Sequence, residues 1–279
     1  MTDLTKRFAD AGLPMKPAAR PMVHGSEQIF GLNIVPDPKS KGKQRFEIWT
    51  GDAANRVEVT AVDPKQNQLI LFVQEPERKF QDKVSKWTAP TADKLPEGAR
   101  VIAETSSWWS IERVTPGAKR HYLCGIDERG YFASQLPKPV TTVRDAHEVL
   151  KSRSAKKAGK KDKITRQGEW FFVPITASER KTLDEGLRTK MLAIAKNTSI
   201  ALTLQVAGGN PHTCSEIVAI DHGPVSKKDP RRGRKKTAYV RGKIKHREHA
   251  TIEFFDWHRV ERNTEVLNAG RGAGVAWID

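Results

Sequence analysis

Three residue types that could carry chemistry meet in one segment, KKDPRRGRKKTAYVRGKIKHREHATIEFFDWHRVERN, Lys227 to Asn263. His246, Glu248 and His249 are nitrogen and oxygen donors a few positions apart, and His212 or His222 could join them from another loop. A zinc-class ion needs three or four such donors converging at about 2.0–2.3 Å. With that ion, the chemistry would be metal-assisted hydrolysis, of nucleic acid or of another substrate. The spacing His-Arg-Glu-His is not the helical His-Glu-x-x-His of metalloproteases, so the local pattern alone reads first as solvated turn histidines. His258 does not belong to this group: six residue steps at roughly 3.3 Å put it about 20 Å from His246 along a strand.

The same segment offers a second chemistry, phosphate and base recognition. Lys227, Lys228, Arg231, Arg232, Arg234, Lys235 and Lys236 place seven cations in ten residues. Arg241, Lys243 and Lys245 then alternate along one strand face. Pairing the strands with Val240 opposite His258 and Ile244 opposite Phe254 sets Lys243 against Phe255 and Arg241 against Trp257, and gathers the aliphatic residues on the other side. Cations that follow phosphates beside aromatics on which bases stack form a sequence-tolerant single-strand platform. The alternative for Arg241 and Trp257 is a cation–π pair with no ligand.

Other constellations are weaker. His212 and Cys214 stand two apart, but a catalytic dyad depends on spatial approach, so a buried structural cysteine is the simpler reading. Gly-Arg-Gly-Ala-Gly at 270–274 departs from the dinucleotide-binding spacing and opens no visible helix. No cofactor is expected.

The elements that must position these residues can be read from periodicity. Residues 1–44, with prolines at 14, 17, 21, 36 and 38, read as loosely ordered. Residues 45–150 form a β-rich unit of seven short strands, including a hairpin through Asp63 to Asn67 and a type I turn at Asp127 to Gly130. Thr142 is placed to cap a closing helix over 143–150. Residues 151–167 are a basic linker or phosphate-binding strap. Residues 168–279 form an α+β unit. In it EWFFVPI reads as a buried strand, Thr176 and Glu179 have capping-box spacing, and Leu183, Leu187, Met191 and Ile194 mark one helix. SIALTLQV is predicted to be a strand, TCSEIVAID is ambiguous, and a long basic hairpin follows. The fold class is therefore α+β and mostly antiparallel.

Composition ranks the functions. The net charge is +16, which favours a polyanionic partner through a long-range positive field. The leading expectation is a nucleic-acid-binding protein without catalytic activity, single strands favoured. The rivals are a metal-dependent nuclease or hydrolase using His246, Glu248, His249 and His212, and an assembly protein that meets an acidic protein partner through its basic segments. Two cysteines, Cys124 and Cys214, exclude a multi-disulfide scaffold and a cysteine-based zinc site. The start of the chain carries no apolar signal region, and no run is long enough to span a bilayer. A cytoplasmic protein with reduced thiols and no membrane partner is expected.

Overall fold

The computed structural model describes residues 2–21, 27–38, 44–96, 98–127, 130–158, 164–204, 211–224, 234–247, 249–264 and 274–275. It is sheet-rich, with several antiparallel sheets and few helices. No helix among the described residues is long and apolar enough to cross a membrane.

Within the first 44 residues, those described form regular elements where loose order was expected. α1 (Thr2–Asp10) buries Leu4 and Phe8, four positions apart and so on one helix face. Gly12, at φ +73, ends it, and the Leu13 N–H donates to the Phe8 carbonyl at 2.9 Å. β1 (Met15–Pro17) and β2 (Gly31–Pro36) then flank β3 (Gln44–Trp49), and β17 (Gly274–Val275) adds to the β2 edge. Pro17 and Pro36 end β1 and β2, and neither prevents this sheet from forming.

A second sheet runs β10 (Gly130–Gln135), β9 (Ala118–Asp127), β5 (Gln68–Glu75), β4 (Arg56–Asp63), all antiparallel. Asp63 accepts from the Lys65 and Gln66 N–H groups in the β4–β5 turn. One face of β5 and β9 presents Leu69, Leu71, Val73, Tyr122 and Cys124 to α1 and the first sheet. The other face presents Ile70 and Leu123 to α2 (Val143–Leu150), which buries Val143, Ala146, Val149 and Leu150. Thr142 caps α2, accepting the Asp145 N–H at 3.0 Å.

A small third sheet has the order β6 (Arg78–Ser85), β8 (Trp108–Thr115), β7 (Ala99–Glu104), with Trp109 and Ile111 closing one face over Ala89.

The fourth sheet carries the histidines. Its order is β11 (Thr165–Gln167), β12 (Trp170–Pro174), β16 (Ile252–Arg262), β15 (Arg234–Lys245), β14 (Thr213–Pro224), β13 (Ala195–Ser199). Every neighbour is antiparallel. Trp170, Phe172, Cys214, Ile217, Val240, Ile244 and Phe254 form one buried face, covered by α5 (Ile200–Leu204). Val218, Tyr239 and Trp257 lie on the other, against Leu183 of α4 (Ala177–Arg188). The α4 capping box is formed by Thr176 and Glu179.

Several local readings change. Residues 200–204 are a helix, not a strand: Ile200, Ala201 and Leu204 pack together, and Thr203 Oγ1 donates to the Ser199 carbonyl at 2.8 Å. α4 stops at Arg188, leaving Met191 84% exposed. The 151–167 segment contains α3 (Arg153–Ala158), with Ala155 buried, and β11. Beside it the two halves of the chain touch. Arg166 donates to His147 Nδ1 at 3.3 Å, so Nε2 of His147 carries the proton shared with Gln68 Oε1 at 2.6 Å. Burial, then the Arg166 charge, lowers the His147 pKa.

Candidate metal centre

The antiparallel register of β14 and β15 pairs Cys214 with Ile244 and Thr213 with Lys245. One step further along that register, His212 faces His246. Directly opposed residues bring their Cβ atoms to about 4.5–5.5 Å, and the two rings stack with centroids 4.2 Å apart. The turn after β15 returns His249 to the same place, 4.6 Å from His246 and 5.7 Å from His212 between ring centroids. The β11–β12 turn closes the group from the side. Gln167 donates to the Ala250 carbonyl at 2.6 Å, tying that turn to the hairpin tip. Gly168, at φ +55, comes so close that a Cβ there would lie 3.1 Å from His249 Nε2 and 3.3 Å from His212 Cε1. Arg166 holds the Gly168 carbonyl at 2.9 Å.

One ligand atom from each of His212, His246 and His249 lies within 4.8 Å of the others, the one such group among the described residues. His212 and His246 are buried and His249 is half-buried. Burial first, then the neighbouring His246 and His249, pushes the His212 pKa down to about 3, so this imidazole is neutral across the physiological range. Neither His212 ring nitrogen has a hydrogen-bond partner among the described residues, although the side chain is only 1% exposed. An unsatisfied buried polar group costs about 1–3 kcal/mol. An ion would satisfy one of these nitrogens. Bonds of 2.0–2.1 Å in a tetrahedral site set nitrogen ligands roughly 3.4 Å apart, so ion capture requires the rings to turn inward from their present spacing. Imidazole-only donor sets suit zinc, copper, nickel or iron.

The other sequence-derived site residues are elsewhere. Glu248 lies outside the described residues. His222 is exposed at the far end of β14 and contacts Thr237 Oγ1 at 2.9 Å. His258 stacks on Phe254. Cys214 donates to the Thr198 carbonyl at 3.2 Å, and burial pushes its thiol up to about 12, so it forms no dyad with His212.

The basic hairpin needs a correction. Val240 pairs with His258 as expected, but Gly242 pairs with Phe254, Lys243 with Glu253 and Ile244 with Ile252. β15 advances two residues there while β16 covers four. Gly242, at φ +82, permits this bulge, because a Cβ would meet Ser215 Cβ at 2.8 Å. The bulge lies beyond Trp257, which keeps its expected place beside Arg241, whose guanidinium is 4.7 Å from the ring centroid, but Leu183 of α4 packs on that face and leaves Trp257 only 3% exposed. Arg241 also pairs with Glu216 at 2.7 Å. The expected exposed stack on Trp257 is absent, whereas Phe255 is 91% exposed and Lys235, Lys243 and Lys245 face solvent. Lys236 reaches the Thr203 carbonyl at 3.5 Å. Lys227, Lys228, Arg231 and Arg232 lie outside the described residues, as does the Arg234 side chain.

The sequence favoured solvated turn histidines and offered His212, His246 and His249 with Glu248 only as an alternative group. The structure buries His212 and His246 and brings the three rings together, and the sequence reading had no place for Gly168. The signal available was the positive-φ preference of a Gly in a two-residue turn between short strands. Comparison of the chain with protein-family models, with curated proteins and with solved structures returns no match.

Proposed function

We propose that the protein is a metal-dependent hydrolase acting on a phosphate ester of a polyanionic substrate, with a zinc-class ion held by His212, His246 and His249. The observation that carries this reading is the gathering of one ligand atom from each of three imidazoles within 4.8 Å of the others, around a buried His212 with no hydrogen-bond partner among the described residues. Three neutral ligands leave the full positive charge on an ion and a coordination position for water, whose proton such an ion makes easier to remove. The chain's own groups set the rest. The β14–β15 register and the Gln167 anchor fix the ring positions, and the apolar face behind Cys214 and Ile244 limits water on that side. The net charge of +16 supports the choice of a polyanion. Nucleic acid held by Lys227 to Lys245 remains part of this proposal, without Trp257 as a stacking surface.

The test is metal analysis of the purified full-length chain, with hydrolysis of single-stranded DNA, RNA and an aryl phosphodiester followed in zinc, manganese and chelator. His246→Ala and His249→Ala are the variants. One bound ion and chelator-sensitive hydrolysis, both lost in the variants, are expected. A chain that takes up no transition metal, or hydrolysis indifferent to chelator and to both substitutions, overturns the reading.

A further inference from the structure

The third sheet, far from the histidines in sequence, has one face that no other part of the described chain covers. The β6–β8 register, with Ser85 opposite Trp108, Lys83 opposite Ser110, Gln81 opposite Glu112 and Lys79 opposite Val114, assigns these residues to that face. Arg100 of β7 joins them opposite Glu112. The opposite face is the closed one, with Trp109 and Ile111 buried.

Two features make the open face unusual. Large exposed apolar side chains collect on and around it: Trp108 and Val114 stand on this face by the register, Trp87 follows in the turn after β6, and Ile102 lies at the β7 bulge, whereas Val101 pairs with Ile111 on the closed side. Trp108 is 47% exposed and Trp87 95% exposed, and the Lys86 N–H bond to the Ser107 carbonyl holds the Trp87 turn beside the start of β8. Apolar groups gathered in this way mark an interaction surface more often than scattered ones do. The second feature is charge. Lys79, Lys83 and Arg100 are all exposed on it, Lys83 and Arg100 have no ion-pair or hydrogen-bond partner among the described residues, and the single carboxylate placed there by the register, Glu112, lies 3.9 Å from Lys79.

We propose that this face binds single-stranded nucleic acid, with bases stacking on Trp108 and Trp87 and phosphates following Lys79, Lys83 and Arg100. From Lys79 to the position opposite Trp108 is six residues, roughly 20 Å of strand, a track along which several nucleotides can lie. Exposed indoles beside unpaired cations are the two parts of a sequence-tolerant single-strand platform. A duplex hides its base faces and gains nothing from the tryptophans. Protein interfaces are depleted in lysine, and Lys79 and Lys83 both stand exposed on this face, which disfavours a protein occupant. The proposal is independent of the metal centre and replaces Trp257 with two indoles that face solvent.

The experiment is fluorescence anisotropy of the full-length chain with labelled oligo(dT), oligo(U) and a duplex of equal length, at two salt concentrations and in chelator. Trp108→Ala and Trp87→Ala each weaken single-strand binding by roughly 5- to 150-fold, the effect of losing one base–aromatic stack. Lys83→Ser with Arg100→Ser flattens the slope of log affinity against log salt by about 1.4, from about 0.7 per single-strand phosphate contact. The two oligonucleotide arms separate DNA from RNA. Because all four side chains are exposed, circular dichroism and unfolding midpoints should be unchanged in these variants. Single-strand affinity retained in both tryptophan variants overturns the proposal, as does equal affinity for the duplex. Self-association in sedimentation that Trp108→Ala abolishes, without single-strand binding by the parent chain, reassigns the face to a second copy.

Discussion

Replacing Gly168 by Ala adds one methyl group beside the histidine cluster, and the structure separates its two effects. The first is backbone strain. At φ +55 an L-residue with a Cβ costs about 1–2 kcal/mol more than Gly. The second is contact: the new Cβ stands 3.1 Å from His249 Nε2 and 3.3 Å from His212 Cε1, so both rings must give by a few tenths of an ångström. Metal–ligand distances tolerate about 0.2 Å, and changes just outside a metal site typically lower affinity 10- to 100-fold. Gly168→Ala should therefore lose about 1–2 kcal/mol of stability in chelator. In buffered zinc it should lose a further 1.4–2.7 kcal/mol or so, the linkage value of that affinity change. Gly223→Ala is the control, since Gly223 has φ +92 and nothing within 4 Å of its missing Cβ. It keeps the strain and lacks the contact. Denaturant unfolding in chelator and in zinc, together with chelator-competition titration, measures both parts. Zinc affinity in Gly168→Ala equal to that in Gly223→Ala would refute the placement of an ion against this turn.

Trp257→Ala should cost about 3–5 kcal/mol of stability, the range for truncating a buried aromatic, read from the urea midpoint, with nucleic-acid affinity per folded molecule unchanged. A loss confined to binding would overturn the burial of Trp257 beneath α4. Metal-free protein should lose stability in acid through His212. Its folded pKa is about 3 and an exposed histidine has about 6.5, so between these values the unfolded chain holds the extra proton. Stability is then full above pH 6.5 or so and erodes as pH falls toward 3. Urea midpoints across that range should fall more steeply in the parent than in His212→Asn, and parallel curves would remove the buried imidazole from the balance.

What the sequence made legible was local. Thr176 and Glu179 satisfy each other's backbone N–H groups whatever packs above them, and the Thr142 hydroxyl accepts the Asp145 N–H at the start of α2. Trp170 to Val173 is apolar throughout because the strand is covered on both faces. The failures were decided at a distance. Leu4 and Phe8 give too short a periodic signal for a helix among prolines, and their burial comes from the first two sheets. Ile200 to Leu204 suits either period, and packing on Cys214 and Ile217 selects the helix. β6 hides in charge, since Lys79, Gln81 and Lys83 on its open face leave no apolar run to mark a strand. The site divides in the same way. His246 and His249 are neighbours in sequence, whereas His212 and Gly168 reach them only through the order of strands in the fourth sheet.

The two cysteines occupy separate apolar interiors, Cys124 beneath α1 and Cys214 on the sheet face behind the histidines. Both are free, both are fully buried, and burial raises both thiols, so neither presents a thiolate to solvent while its own core is closed. An alkylating reagent can reach each sulfur only when the surrounding layer opens. The native chain thus contains one built-in clock per core, and the labelling rates at Cys124 and Cys214 time the opening of the two halves of the molecule separately, with no probe introduced.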